Sequence, residues 1–185
     1  MKITGEQTIP AAQDRVWHAL NDPDVLRQAI PGCISLERMG EHAFKATVET
    51  KIGPIKATFD GDVQLSELNP PHGYTLSGRG SAGGMGSAKG SARVRLAPNG
   101  HGTVLTYDVD ADVTGKFAQL GSRLIQGTAN MLAGQFFTRF NEVVSSPDLV
   151  RPSQAAKAGI PWWVFAAGAA VIAAAAAYFL LTRGA

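Results

Sequence analysis

Cysteine is all but missing. A single thiol, Cys33, in 185 residues excludes a disulfide framework and a cysteine-rich zinc or iron–sulfur site, and it fits a reducing compartment. Histidine is sparse as well: His18, His42, His72 and His101 are scattered, and no two stand at the i, i+4 spacing of a helix-borne metal pair. Charged residues make up only 17% of the chain and are balanced. Through Val144 there are 14 Lys and Arg against 14 Asp and Glu, so the formal net charge of +2 belongs to the tail, where Arg151, Lys157 and Arg183 face Asp148 alone. A neutral main segment lacks the basic face that nucleic-acid binding needs to displace counterions. The N-terminus, MKITGEQTIP, has no apolar stretch of the kind a secretory signal requires. Internal repeats are lacking, and so is a P-loop, since Lys89 follows Ala88 rather than glycine.

What the chain does have is apolar surface: 45% of residues are hydrophobic, enough for a core and too much for wholesale disorder. Its longest apolar run comes last. Trp162 to Leu181 is uncharged, with nine alanines. At about 1.5 Å per residue, a helix of that length covers roughly 30 Å, a bilayer's hydrocarbon thickness. Trp162, Trp163 and Tyr178 fall where interfacial aromatics are expected, Arg183 is a polar stop, and Pro161 suits a first helical turn. A buried alanine-rich helix is the competing reading. The expectation is a single-pass transmembrane helix over 161–182, a flexible linker over 145–160, and a cytoplasmic main domain over 1–144 held at the cytoplasmic membrane.

Within the main segment the hydrophobic period changes twice. Ile3 to Ile9 reads as a strand, and Ala12, Val16, Ala19 and Leu20 stand at helical spacing. Asp22-Pro23 reads as an N-cap followed by proline in the first turn of a short helix that Pro31-Gly32 stops. Then the period becomes two, in stretches around Phe44–Val48, Ala57–Leu65, Tyr74–Gly78, Ala88–Leu96 and Leu105–Val113. This is a one-sided antiparallel meander, broken by Gly53-Pro54, Asn69 to Gly73 and Pro98-Asn99-Gly100. A hairpin centred near Gly100 places Arg93 opposite Asp108 and Lys89 opposite Asp112. Finally Lys116 to Val144 carries one apolar stripe, Phe117, Leu120, Leu124, Thr128, Met131, Leu132, Gln135, Phe136, Phe140 and Val143, and is expected as one long helix. A sheet covered by helices on one side is an α+β architecture.

The order strand, two short helices, six strands, long helix resembles the helix-grip fold of the START-like (SRPBCC) superfamily. DPDVLRQAIPGCISLE (Asp22–Glu37), KIGPIKATFDGDV (Lys51–Val63), the glycine-rich stretch and GKFAQLGSRLI (Gly115–Ile125) are together similar to CoxG, a family of carbon monoxide dehydrogenase subunits, over Met1 to Val144. The resemblance implies a curved antiparallel sheet wrapped around the long helix with an apolar cavity between them. It implies a non-catalytic, membrane-associated accessory to a molybdenum hydroxylase of the carbon monoxide dehydrogenase type. The expected ligand is an isoprenoid quinone or another lipid, with no covalent cofactor and no metal. Expected lining residues are Leu20, Leu26, Ile30, Ile52, Ile55, Phe59, Met85, Tyr107, Phe117, Leu120, Leu124, Thr128 and Met131, the sparse polar groups Thr128 and Gln135 orienting the ligand. A docking face for the partner enzyme is expected at Lys116, Gln119, Gly121 and Arg123, where a plain helix start is the other reading. A ligand-free tether or assembly factor and a START-like cyclase or hydrolase are the alternatives.

Three further features have plainer readings. Gly78 to Gly83 spells GxGxxG, but dinucleotide binding needs strand, turn and helix, and period two resumes here. A strand bend or room for a ligand, with Met85 as a mobile gate, remains. Asp108, Asp110 and Asp112 share one face but diverge by roughly 7 Å per pair along a strand, which suits a solvated row better than a metal site. Cys33 reads as a structural thiol unless a histidine approaches it in space.

Overall fold

The computed structural model describes residues 1–100 and 102–146. Strand β1 (Lys2–Ile9) leads into helices α1 (Gln13–Leu20) and α2 (Pro23–Ala29). Strands β2 (Cys33–Arg38), β3 (Ala43–Ile52), β4 (Ile55–Asn69), β5 (Gly73–Ser81), β6 (Ser87–Asn99) and β7 (Gly102–Val113) follow, and helix α3 (Ser122–Ser145) comes last. The seven strands form one sheet in the order β1-β7-β6-β5-β4-β3-β2, every neighbour antiparallel. This is the expected α+β helix-grip arrangement.

Local chemistry explains where the elements start. Asp22 caps α2: its Oδ1 accepts from the backbone N–H of Asp24 at 2.8 Å and of Val25 at 3.4 Å, with Pro23 in the first turn. Gln13 opens α1, and its Nε2 donates to the carbonyls of Leu96 (3.0 Å) and Pro71 (3.2 Å). That amide ties the helix to β6 and to the β4–β5 turn. The β6–β7 register is the one the charges called for, Arg93 opposite Asp108 and Lys89 opposite Asp112. The ion pairs follow it only in part. Lys89 meets Asp112 at 4.0 Å, but Arg93 leans to Glu67 (4.0 Å) and Asp108 pairs with Arg95 (3.9 Å). All are exposed, so swapping partners costs little.

The core sits toward one end of the sheet. Ile9, Val16, Trp17, Leu20, Phe44, Leu65, Tyr74, Val94, Leu96 and Leu105 meet Phe137, Phe140 and Val144 of α3 there. Trp17 lies edge-on to Tyr74 at 5.7 Å, and Tyr107 stacks on Phe137 at 5.7 Å.

Two expectations are corrected. The last helix does not begin at Lys116. Residues 118–120 make a single 3₁₀ turn, and Gly121, at φ +87°, ends it, so that α3 starts at Ser122 and runs 24 residues. A left-handed glycine cannot continue an α-helix. The membrane assignment is also overturned: among the described residues no helix is long and apolar enough to cross a membrane. The segment expected to do so, 161–182, with Trp162, Trp163, Tyr178 and Arg183, lies outside the described residues, as does the linker from 147 onward.

Candidate functional site

Strand alternation and register together decide what faces α3. Reading across the sheet, one inward row is Phe44, Val63, Gly78, Gly90 and Ala111; the next is Ala46, Gly61, Gly80, Ala88 and Val113. The core row beyond them, Tyr74, Val94 and Tyr107, is large. The inner wall is therefore nearly bare along two rows, and these residues stay half-buried except Phe44, which joins the core. The wall is accessible to something that does not belong to the core.

Helix α3 bridges this bare zone. On one side Gln126 Nε2 donates to the Lys2 carbonyl at the start of β1 (3.2 Å). On the other, Leu124 lies over Gly53 in the β3–β4 turn, with Cδ2 2.8 Å from where a Cβ on Gly53 would stand. The first half of the helix is poorly covered: Leu124 is 40% and Met131 51% exposed, whereas Phe137, Phe140 and Val144 are buried. The result is a groove-like surface with an apolar wall and a helix across it, both left partly uncovered.

One end of the groove is closed by aromatic packing. Phe117 is buried, with its ring 5.2 Å from Phe59, and Phe59 in turn lies 4.0 Å from where a Cβ on Gly80 would be. The β5–β6 connection, with its 3₁₀ turn at Gly83–Met85, is pressed on the segment after β7: Lys116 N–H donates to the Met85 carbonyl at 2.9 Å. Gly86, at φ +136°, makes this possible, because a Cβ there would stand 2.2 Å from the Thr114 carbonyl oxygen.

The expected lining residues divide accordingly. Ile52 and Ile55 face each other across the β3–β4 turn beside Leu124, and Phe59 meets Phe117 farther along β4. Leu26, Ile30, Met85 and Leu120 are half-buried. Leu20 belongs to the core, and Tyr107 is stacked there on Phe137, with its ring lying where a Cβ on Gly5 would be. Thr128 spends its hydroxyl on its own helix, donating to the Leu124 carbonyl at 3.0 Å, and Gln135 is exposed. Lys116, Gln119, Gly121 and Arg123 are all exposed along the approach to α3. Sequence reading gave Gly78 to Gly83 as a strand bend or room for a ligand, which takes in Gly78 and Gly80 of the wall, but it missed Gly61 and Gly90. Their signal was present as glycine at inward positions of alternating strands, but it has meaning only once the register aligns them.

The groove offers little reactive chemistry. Burial pushes the Cys33 thiol above its ordinary range, and the Arg27 charge only partly opposes this; its Sγ donates weakly to the Ser35 carbonyl at 3.5 Å. A thiol held protonated is a poor nucleophile. Asp110 lies near the N-terminal amine, and Asp108 and Asp112 are taken by basic neighbours. Among the described residues no three His, Cys, Asp or Glu side chains gather as a metal site. GxGxxG continues as strand, 3₁₀ turn and strand, which is not a dinucleotide cradle. A hollow of about 760 Å³ lies toward the outer face, lined by Met39, by outward residues such as Asp62, Gln64, Arg79, Lys89 and Asp112, and also by Phe44, Val63, Gly78 and Gly90 of the wall row.

Comparison with known proteins adds to this geometry. The family model of CoxG, a carbon monoxide dehydrogenase subunit, matches residues 5–145. Among solved structures, a conserved protein from Geobacillus kaustophilus is 32% identical, with a TM-score of 0.74 over 78% of this chain and 95% of that one. Protein Ms6760 from Mycobacterium smegmatis is 14% identical, with a TM-score of 0.60 over 77% and 90%. The ZhuI aromatase/cyclase from Streptomyces sp. R1128 is 15% identical, with a TM-score of 0.53 over 78% and 93%. The last two likenesses are of fold alone. Among curated proteins there is no match.

Proposed function

The chain belongs to the CoxG family of carbon monoxide dehydrogenase subunits, and from that premise we propose that it is a non-catalytic accessory to a molybdenum hydroxylase of the carbon monoxide dehydrogenase type. In this reading the groove between the sheet's inner face and the first half of α3 holds an apolar ligand, an isoprenoid quinone or another lipid. The observation that carries it is the bare inner wall. Half-buried glycine, alanine and valine on β4 to β7 lie beneath a helix whose own Leu124 and Met131 remain uncovered. Apolar surface left half-covered on both sides of a gap gains free energy when a third apolar body enters, at about 25 cal/mol per Å² removed from water. Flat rings suit a wall without side chains, because they can approach the backbone itself. An enzyme of this type releases electrons that a quinone can accept, and an apolar cup brings that acceptor to it.

The test is direct. The full chain is purified, extracted with organic solvent and examined by mass spectrometry, then titrated with decylubiquinone while tryptophan fluorescence is followed. A stoichiometric quinone or lipid, or saturable uptake of decylubiquinone, is expected. A protein that is empty and takes up none defeats the ligand-carrying reading.

The outer-face hollow favours a second reading, a ligand-free accessory that docks the enzyme through its surface. It predicts that association with the hydroxylase survives substitutions that fill the groove.

A further inference from the structure

The outward side of α3 has a composition that a single copy of the chain does not explain. From Leu124 to Thr138, between Arg123 and Arg139, the helix carries no charged residue. One side of that stretch faces the sheet: Ile125, Thr128, Ala129, Leu132 and Phe136 are half-buried. On the other side Leu124, Gly127, Met131, Gly134 and Thr138 are all exposed, and their alternating spacings of three and four make one stripe. A solvated helix face is ordinarily polar and charged. This one holds two of the four large apolar side chains left exposed among the described residues, Leu124 and Met131.

The glycines of the stripe are a second, independent peculiarity. Glycine weakens a helix interior relative to alanine, because its backbone has more freedom to lose. Neither Gly127 nor Gly134 has a positive φ, and a Cβ on either would meet nothing within 4 Å. The single chain therefore has room for a larger residue at both positions and gains nothing from the missing side chains. A body packed from outside does gain, since a helix surface without Cβ atoms leaves a gap that a neighbour's side chain can fill.

The stripe is complementary to a second copy of itself. Contacts across a two-fold axis are reciprocal. When two such helices lie antiparallel with Leu124 opposite Gly134 of the second copy, the same register puts Met131 opposite Gly127 of the second copy. Each large side chain then meets a gap. A slip of one turn in one direction would set Leu124 on Met131, and in the other Met131 on Met131. Charge selects the antiparallel direction as well. It points each Arg123 toward the end of the other helix that carries Glu142, whereas parallel packing would set Arg123 beside Arg123 and Glu142 beside Glu142.

We propose that the outward face of α3 is the contact of a homodimer, in which the helices of two copies cross antiparallel and Leu124 and Met131 of each fill the gaps at Gly134 and Gly127 of the other. The stripe is only about 22 Å long, so the contact is at the small end of specific interfaces and the dimer is a weak one. The residues on the sheet side of α3 take no part, and the dimer forms whether or not the groove holds a ligand.

Sedimentation velocity on the full chain, over about 1–100 μM, tests this in the range suited to a small interface. Wild type is expected to pass from monomer to dimer. Gly127→Met closes the gap that receives Met131 and should weaken association at least about tenfold. Adding Met131→Ala exchanges large and small across the same pair and should bring association back to within about threefold of wild type. A contact elsewhere on the molecule would not respond to that exchange. Where Gly127→Met fails to fold, Gly127→Ala supplies the test: its melting midpoint in dilute solution should rise, because alanine suits a helix, while its dimer weakens. A chain that stays monomeric throughout overturns the proposal. So does a dimer that Gly127→Met leaves unchanged, or one that the second substitution fails to restore. A lower melting midpoint for Gly127→Ala overturns it too, by showing that the glycine serves the single chain.

Discussion

Gly80 shows how much can turn on one missing side chain. It lies in the bare inward row between Gly61 and Ala88, and a Cβ there would meet only the Asp60 carbonyl at 3.8 Å and the Phe59 ring at 4.0 Å. Unlike Gly90, where a Cβ would stand 2.5 Å from the Asp110 carbonyl, it has room for a larger residue. Gly80→Leu should therefore fold with a midpoint near that of wild type and fill the groove. Decylubiquinone uptake is expected to fall at least about tenfold, as when a ligand pocket loses its volume. Retained uptake at wild-type affinity would place the ligand elsewhere. Tyr74 makes a second residue-scale test. Burial raises its phenol well above the ordinary value near 10. The native state therefore keeps a proton that the unfolded chain gives up above about pH 10, so this residue lowers stability as pH rises past that point. Below it the contribution is constant. Chemical denaturation at pH 9 and pH 11 should show the loss in wild type, and Tyr74→Phe should remove that part of it.

At the scale of elements, α3 is two helices in one. Its last turns carry Phe137, Phe140 and Val144 into the core, while its first turns bridge from β1 to the β3–β4 turn with Leu124 and Met131 uncovered. Phe140→Ala should cost about 3–5 kcal/mol by leaving a cavity in close-packed surroundings. Met131→Ala should change stability by no more than about 0.5 kcal/mol, since little is lost from an exposed position. Urea denaturation of both variants checks the division, and equal costs would mean that the helix is seated uniformly. The apolar stripe read from sequence spans both halves, because periodicity marks which side of a helix is apolar and not how much of that side is covered. The short elements were more legible. Asp22-Pro23 announced α2 through a cap whose chemistry is complete within four residues, and there the structure follows the sequence closely.

For the whole molecule, residues 1–147 form one compact unit with its own sheet and core. The run Lys116, Gln119 and Arg123 is exposed, while Phe117 within it is buried at the closed end of the groove. If the run docks the hydroxylase, Lys116→Glu with Arg123→Glu should weaken co-precipitation of the enzyme about tenfold, as reversed charges do at an interface, while ligand content stays unchanged. Loss of both properties together would show that the two surfaces are not independent, and loss of neither would move the docking face.

The amino-acid sequence by itself determined the alternation of every β-strand from Phe44 onward, the capped start of α2 and the Arg93–Asp108 and Lys89–Asp112 register, because each depends on neighbours within one hairpin or one helical turn. It carried enough of the family's motifs to indicate the helix-grip arrangement. Only the tertiary structure decided that Gly61, Gly78, Gly80 and Gly90 form one bare wall, that Leu20 and Tyr107 are core rather than lining, and that Phe117 stands outside α3. Those outcomes depend on which side chains meet across distant strands and on the left-handed backbone of Gly121. Hydrophobic periodicity records which face is buried, and says nothing of what lies against it.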